Sequence, residues 1–430
     1  MTPDLLTRAV SHSRRRLIPF LLLMYVVAFL DRANIGFAKQ SFQASTGISE
    51  SAFATGAGLF FLGYALFEIP SNLILHRIGA RIWMCRIMVT WGIASIATMF
   101  GRGPVSFYVV RLALGFAEAG FFPGVILYLT YWFPNRVRSE ILGQFYFGAP
   151  LAFIFGGPLS GLLLALHGDA GLLGWQWMFL VEGLLAVAVG IWAFWYLTDR
   201  PSDAPWLTGA EKAAIQIALS REDDLRRLHG PSTVLSALAD PRLLHFAAIY
   251  FLIQMSVYGV VFYLPTEVSA ILGKSIGPEV GVVSAIPWTC ALISVFSAPR
   301  LADRLNCHRV LAAVILIASG AASTLFLVRN GTVALVALSV AASGFIAVQP
   351  IFWTFPTRYL SGRAAAGGIA INALGSLGGF VAPNLKVWAD RYFGNPAAGL
   401  YVLAGFTLLT AVLVAFLSER KHSRPHMYPN

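Results

Sequence analysis

Twelve apolar segments, each close to the length that a helix needs to cross a bilayer, dominate this chain of 430 residues. A helix spans the hydrocarbon core with roughly 20 residues. Because lipid offers the backbone no hydrogen-bond partners, segments of this length fold as helices there. The sequence therefore predicts an all-α membrane protein with twelve transmembrane helices. The segments are 17–38, 53–75, 82–101, 104–131, 140–166, 174–198, 243–270, 279–300, 308–328, 332–357, 362–388 and 395–418.

The composition excludes an ordinary soluble protein. Apolar residues make up 57% of the chain and charged residues 12%, whereas about a quarter of a typical soluble domain is charged. The net charge of +11 does not indicate nucleic acid as a partner, because no basic run with interleaved aromatic residues occurs. The cysteines Cys85, Cys290 and Cys307 lack metal-ligand spacing, so we expect no metal site.

Basic residues are distributed unequally between the two sides of the membrane. With the N-terminus inside, 23 of the 31 Lys and Arg residues fall in inner segments and six in outer ones, while Arg32 and Arg111 remain within spans. Because such residues accumulate in cytoplasmic loops, we expect both termini to be cytoplasmic. We therefore expect a multi-pass membrane protein.

The two halves of the chain share sequence features at corresponding positions. Arg77 and Arg304 lie in basic turns after the second and eighth spans, and Pro158 and Pro383 accompany glycine pairs in the fifth and eleventh. The two arginines and the two prolines are separated by nearly equal numbers of residues, as expected for parallel repeats of six spans. The alternative is that these are unrelated loops and helix breakers. We expect an N-terminal six-helix bundle at 1–198, a cytoplasmic middle loop at 199–242, and a C-terminal six-helix bundle with a cytoplasmic tail at 243–430.

Four charged residues lie at membrane depth. Asp31 and Arg32 are neighbours in the first span, and Arg111 and Glu118 are two turns apart on one face of the fourth. A charge at bilayer depth costs about 2.5–3.5 kcal/mol on the mildest scale, so these side chains indicate a polar pathway. The alternative is an ion-pair network that only fixes helix packing. An anion that engaged an arginine would change the proton affinity of the neighbouring carboxylate, which would link anion binding to protonation.

Six stretches spread over nearly the whole chain form a jointly specific signature: RRLIPFLLLMYVVAFLDRANIGFA, GLFFLGYALFEIPSNLILHRIGAR, FYVVRLALGFAEAGFFPGVILYLTYWFP, GWQWMFLVEG, FWYLTDRPSDAPWL and AAAGGIAINALGSLGGFVAP. They resemble the major facilitator superfamily and, within it, the anion:cation symporter family, which includes bacterial tartrate, galactonate, phthalate and hydroxyphenylacetate permeases and animal sialin. The closest resemblance is to the tartrate or hydroxyphenylacetate type. It implies two pseudo-symmetric six-helix bundles, the major facilitator fold.

The resemblance also implies roles for individual residues. The residues implied for proton coupling are Asp31, Glu118 and Arg111; those for substrate binding are Arg32, Tyr64, Trp353 and Asn372; those for a cytoplasmic gate are Arg77, Arg81, Asp303 and Arg304. No cofactor is implied.

The sequence departs from the family pattern in two places. The gate motif G-x-x-x-D-R-x-G is altered in both of its copies, at Asn72, His76, Pro299 and Asn306. Ala149 falls near a glutamine that contacts substrate in galactonate-type relatives, which disfavours a polyol acid.

The function expected from these features is proton-coupled uptake of a small organic carboxylate, tartrate-like or aromatic, by alternating access. The partners are the anion, protons and the lipid bilayer. The resemblance also implies a multi-pass monomer in the bacterial inner (plasma) membrane. An anion exchanger of the same fold is the main alternative, followed by a non-transporting membrane sensor. An enzyme is not expected, because no nucleophile–base pair, phosphate loop or metal cluster occurs in the sequence.

Three further interpretations rest on sequence neighbours alone. Gly36 follows Arg32 by one helical turn, and Tyr25 and Ala28 precede it, so we expect little local competition for its guanidinium. Glu68, one turn from Tyr64, is assigned to the gate in preference to the substrate site. Glu182 is interpreted as a partner of the terminus of the sixth helix.

Overall fold

The fold is built of α-helices with a few short 3₁₀ turns. The computed structural model describes residues 3–227, 240–326, 328, 330–359 and 364–417, and no strand occurs within these ranges. The predicted all-α class is confirmed. Part of the middle loop, 228–239, and the tail beyond 417 lie outside the described residues, as do Arg329, Arg363, Arg420, Lys421 and Arg424 of the charge count.

Eight helices of the described chain precede the middle loop and make six crossings. They are α1 (Pro3–Thr46), α2 (Glu50–Ile78), α3 (Ala80–Ala97), α4 (Pro104–Glu118), α5 (Phe121–Trp132), α6 (Asn135–Phe145), α7 (Gly148–Ala165) and α8 (Gly174–Tyr196). α4 and α5 together form the fourth crossing, and α6 and α7 form the fifth.

The middle loop contains a helix that the sequence analysis did not predict, α9 (Gly209–Arg227). It packs on α1, where His12 Nδ1 lies 2.8 Å from Glu211 Oε1. The later crossings are α10 (Pro241–Leu272), α11 (Pro278–Leu305), α12 (His308–Ser323), α13 (Gly331–Tyr359), α14 (Ala364–Ser376) with α15 (Gly378–Tyr392), and α16 (Ala398–Ala415).

Eleven helical segments of the described chain are long and apolar enough to cross a membrane. The ninth predicted span, 308–328, is a shorter apolar helix of 16 residues, α12. It ends at Ser323, after which the backbone N–H groups of Thr324 and Leu325 donate to the carbonyls of Ala321 and Ala322, the tighter i→i−3 pattern of a 3₁₀ turn.

The fourth crossing is broken immediately after Glu118, although the sequence predicts a continuous helix over 104–131. Gly120 has a φ of +85°, and a Cβ there would lie 2.3 Å from Ser71 Oγ. Glycine alone accepts this conformation without strain and leaves room for Ser71. The break makes Glu118 the last residue of α4, in the interior of the bundle.

We call the side that carries the α2–α3, α5–α6 and α11–α12 connections the basic face and the other side the opposite face. The two halves meet through α7 with α11, α2 with α14 and α15, and α1 with α10. Near the opposite face, α7 and α11 touch backbone to backbone: a Cβ on Gly157 would lie 2.5 Å from Gly281 O, and one on Gly161 would lie 2.6 Å from Gly277 O. Small residues permit this approach.

Candidate functional site

Arg32 joins both halves of the protein in the interior. Its Nε and Nη2 donate to Glu118 Oε1 at 2.8 and 2.5 Å, and its Nη1 donates to the hydroxyl of Tyr258 at 3.0 Å. Glu118 lies on α4 and Tyr258 on α10, so the guanidinium is shared across the interface. Glu118 is fully buried, and its Oε2 has no hydrogen-bond partner among the described residues.

This pairing corrects the expectation that Arg32 has little competition for an anion. That argument considered only neighbours on the same helix, whereas the competitor, Glu118, is 86 residues away in the chain. Aromatic rings complete the surroundings of the guanidinium: those of Phe29, Phe60 and Tyr64 have centroids 5.0, 5.4 and 5.1 Å from its central carbon. These distances are typical of cation–π contacts, and they place Tyr64 beside Arg32.

Asp31 faces a different part of the bundle. Its Oδ1 accepts from Ser95 Oγ on α3 and, at 3.2 Å, from Asn34 Nδ2 on its own helix. Its Oδ2 has no partner within the described ranges. The two carboxylates predicted for proton coupling therefore occupy separate environments, one with a guanidinium and one with neutral donors.

Arg111 is buried beneath Arg32 without a carboxylate of its own among the described residues. Nη2 reaches the carbonyl of Ala57 at 3.5 Å, and the guanidinium carbon lies 5.2 Å from the centroid of the Phe60 ring. Nε has no partner in the part of the chain that the structure describes. Arg111 therefore contributes a positive charge to this region without being held in an ion pair of its own.

Glu68 and Asn372 form a second polar link between the halves. Asn372 Nδ2 on α14 donates to Glu68 Oε1 on α2 at 2.8 Å, and both side chains are buried. Glu68 thus lies deep in the interface and not among the exposed residues of the basic face. The sequence assigned it to the gate because its position along α2 is closer to that face than to the other.

Aromatic side chains of the later crossings surround Trp353. Its ring packs edge-on against Tyr250, with centroids 5.2 Å apart, and Tyr250 stacks on Phe352 at 5.4 Å. The indole Nε1 of Trp353 is buried without a hydrogen-bond partner among the described residues. The structure therefore offers an apolar, ring-lined region with an available donor.

The four predicted gate residues are not brought together across the halves. Arg81 makes its contacts within its own half: its backbone N–H donates to Asp199 Oδ1 at 2.8 Å, and its guanidinium lies over Phe194. Asp303 pairs with the nearby His308 at 2.9 Å. Arg77 and Arg304 are exposed.

A charged cluster that the sequence analysis missed closes the interface near the opposite face. The ammonium groups of Lys39 on α1 and Lys386 on α15 lie 4.7 and 4.6 Å from the ring centroid of Tyr263 on α10. Lys39 also pairs with Glu50 at 2.6 Å, and Lys386 with Asp390 at 2.7 Å. Both lysines are buried, whereas the sequence analysis counted them as outer connections. We call these five residues the lysine–tyrosine cluster.

Glu182 corrects another expectation. It is the ninth residue of α8, more than two turns from either end, and its side chain is 2% exposed. Its Oε1 accepts from Ser160 Oγ at 3.2 Å. It is therefore an interior carboxyl and not a partner of a helix terminus.

Comparison with known proteins assigns the family. The model of the Major Facilitator Superfamily matches residues 21–383. The chain is 46% identical over 415 residues to the "Inner membrane transport protein RhmT" of Escherichia coli, covering 96% of each protein. It is 41% identical over 427 residues to a "Putative tartrate transporter" of Agrobacterium vitis, covering 97% of this chain and 93% of the relative.

A solved structure shares the fold. A bacterial homolog of the human lysosomal transporter Spinster, inward-facing and unoccupied, superimposes with a TM-score of 0.66 at 18% identity, covering 93% of this chain and 94% of that one. The expected major facilitator fold is confirmed by this superposition and by the family match. The family match and the 46% identical transport protein confirm the expectation of a transporter rather than an enzyme. The chain belongs to the Major Facilitator Superfamily.

Proposed function

We propose that this protein takes up a small organic carboxylate, tartrate-like or aromatic, together with protons across the bacterial inner membrane by alternating access. The observation that carries the proposal is the guanidinium of Arg32, held between Glu118 of one half and Tyr258 of the other. An arginine fork suits a carboxylate because two parallel N–H groups can bind it. Here the protein's own carboxylate occupies that fork.

Glu118 is the internal competitor of the substrate. An incoming carboxylate takes the Nε and Nη2 groups of Arg32, and Glu118 loses its cation while it stays fully buried. A buried carboxylate without a cation favours its neutral form, so Glu118 then takes a proton. One carboxylate group and one proton enter the site together, so for a monocarboxylate the net charge of the site is unchanged. The second negative charge of a dicarboxylate such as tartrate requires a further cation or proton. Loss of the proton restores the ion pair and expels the anion.

The remaining predicted site residues fit the same substrate class. Tyr64 and Tyr258 border Arg32, and Asn372 offers an amide once Glu68 releases it. The rings around Trp353 suit an aromatic ring or a short carbon chain. Asp31 and Arg111 supply further charge close to the pair. The gate role of Arg77, Arg81, Asp303 and Arg304 belongs to a state in which the basic face is closed.

The same proposal assigns the orientation of the protein in the membrane and its division into bundles. The basic face is cytoplasmic, the bundles occupy 1–198 and 243–430 around the middle loop, and the protein works as a monomer. In the present structure the opposite face is held by the lysine–tyrosine cluster and by the glycine contacts of α7 and α11. Opening of that face requires both sets of contacts to separate.

Uptake into proteoliposomes tests the proposal. Purified protein is reconstituted and an inside-alkaline pH gradient is imposed, with radiolabelled L-tartrate and 4-hydroxyphenylacetate as probes and glucose as the neutral control. We expect accumulation of at least one carboxylate above its equilibrium level, and none of glucose. Collapse of the gradient with a protonophore abolishes accumulation but leaves counterflow.

Two outcomes would contradict the proposal in different ways. Counterflow of a carboxylate without accumulation under the gradient indicates an anion exchanger. Preference for a neutral or cationic compound over every carboxylate removes the role of Arg32 in anion binding.

A further inference from the structure

We propose that Glu182, Asn34 and Asp31 form a second proton site, separate from the Arg32–Glu118 pair, in which Glu182 holds the proton. The role of this site in a transport cycle rests on the proposed function. The presence of a proton on Glu182 in the resting protein does not depend on that function.

Glu182 is an interior carboxyl without a counter-charge among the described residues. Ser160 on α7 donates to its Oε1 at 3.2 Å, and Asn34 on α1 is its other polar neighbour. Asp31 is the charged residue, among those described on the helices that pack against α8, that acts on Glu182, and its charge is negative. Burial of an ionised carboxylate in such surroundings is expensive unless a cation or several donors compensate.

Asp31, unlike Glu182, has hydrogen-bond donors and cations that favour its ionised form. It accepts hydrogen bonds from Ser95 and Asn34, and the cations that act on it are Arg111 and Arg32. Arg32 is already balanced by Glu118. Arg111 acts on Asp31 and Glu118, and none of the described cations acts on Glu182. An ionised Glu182 would therefore face the negative charge of Asp31 without compensation, and a proton on Glu182 removes that repulsion.

The unpaired atoms indicate which carboxyl group carries it. Asn34 donates through Nδ2 to Asp31, while its acceptor atom Oδ1 is buried and has no donor among the described residues. Glu182 Oε2 is likewise buried without a partner there. A protonated carboxyl group has one fewer acceptor site to satisfy and gains an O–H donor, which suits Glu182 because its Oε2 lacks a donor among the described residues. Asp31, which accepts from both Ser95 and Asn34, is the ionised member.

Asn34 then connects the two carboxyl groups through its amide. This side of α1 faces α3 and α8, whereas Arg32 faces α4 and α10.

Infrared spectroscopy of the full-length protein in lipid nanodiscs, at neutral pH and without substrate, tests the proposal. The readout is the stretching band of protonated carboxyl groups. Glu182→Gln is expected to remove about one carboxyl group's share of that band and to leave the thermal unfolding midpoint close to the wild-type value, because glutamine resembles a protonated glutamate. Ser160→Ala is expected to retain the band but shift its frequency, since it loses the hydrogen bond to Oε1.

Glu211→Gln is the matched control. The backbone N–H of Thr208 holds the pKa of Glu211 on the basic face below its ordinary value, so this variant should not alter the band. An unchanged band in Glu182→Gln overturns the proposal, and so does an unshifted band in Ser160→Ala, which remains informative should the first variant fail to fold.

Transport data separate the two proposals. If the band changes as expected while wild-type vesicles show no pH-driven uptake of L-tartrate or 4-hydroxyphenylacetate, the proton site stands and the proposed symport fails. If uptake is proton-driven while the band is insensitive to Glu182→Gln, the symport stands and this inference fails.

Discussion

Glu68 Oε1 accepts a hydrogen bond of 2.8 Å from Asn372 Nδ2, and this bond ties α2 to α14 across the interface between the halves. The second carboxylate oxygen of Glu68 is buried without a partner among the described residues. The pair repeats the relationship of Glu118 to Arg32: in each case a residue predicted to bind substrate is engaged by an internal carboxylate of the protein.

Glu68→Leu should therefore strengthen substrate binding. Leucine has no acceptor, so the variant no longer holds the amide of Asn372 through a hydrogen bond worth about 0.5–1.5 kcal/mol between neutral groups. We expect the apparent affinity for L-tartrate in counterflow to rise about fivefold, since a difference of roughly 1 kcal/mol corresponds to this factor. Asn372→Ala should weaken it. If Glu68→Leu and Asn372→Ala both leave the affinity unchanged, the pair only fixes packing.

Glu118→Gln should separate exchange from proton-driven transport. The amide has nearly the shape of the protonated acid but cannot load or release a proton. We expect accumulation under an imposed pH gradient to collapse while counterflow persists. Glu140→Gln is the control, because Glu140 is an exposed residue paired with Arg14. Wild-type accumulation in Glu118→Gln would leave Glu118 a structural residue.

Arg32→Lys should weaken transport severely. Lysine retains the charge but not the fork through which Nε and Nη2 both reach one carboxylate. Loss of one charge-assisted hydrogen bond, about 1.5–3 kcal/mol, corresponds to an increase in the apparent KM of roughly 10- to 100-fold. Arg14→Lys on the basic face is the conservative control. An Arg32→Lys variant with unchanged KM would contradict the role of Arg32 in binding the anion.

Tyr263→Leu should loosen the opposite face. The ring lies within 4.7 Å of two ammonium groups from different halves, and each such contact is worth about 0.5–2 kcal/mol. The probe is Thr55→Cys, in a background with the native cysteines changed to serine, because the Thr55 hydroxyl donates to Asn384 across the same interface. We expect a membrane-impermeant thiol reagent to label this introduced thiol faster in the Leu variant than in Tyr263→Phe, which keeps the ring. Equal rates in the two variants would show that the cluster does not hold this face closed.

The orientation can be tested without any substrate. A reporter that is active only outside the cytoplasm is fused after Gly47, Gly209 or Gly331. The first and last of these positions lie at the opposite face and the second lies in the middle loop, so we expect activity after Gly47 and Gly331 and none after Gly209. The reverse pattern would overturn the orientation deduced from the basic residues.

The sequence was sufficient to locate the spans and the charged residues within them. A long apolar segment predicts a membrane helix because a backbone in lipid must form its own hydrogen bonds. Charged residues inside such a helix stand out because placing a charge at bilayer depth costs free energy. Asp31, Arg32, Arg111 and Glu118 were found in this way, and the structure places all four in the interior.

The partners of those charges could not be predicted. The Arg32–Tyr258 contact joins residues 226 apart, and no local pattern encodes a contact between helices at that separation. Lys39 and Lys386 were counted on the outer side because they lie at the outer ends of the first and eleventh predicted spans. A lysine stem can nevertheless lie buried when its ammonium group contacts aromatic rings and carboxylates. The break at Gly120 was missed because its cause, Ser71, lies on another helix.

The contact of α7 with α11 differs in kind from the other links between the halves. Arg32, Asn372 and Tyr263 hold their partners through side chains that must be released and captured again when the halves separate. At Gly157 and Gly281 backbone lies directly on backbone, although the rings of Phe153 and Trp288 meet farther along the same two helices. A methyl group added at Gly157 would lie 2.5 Å from Gly281 O, so we expect it to force the two helices apart and to slow turnover without altering any group that binds substrate or a proton.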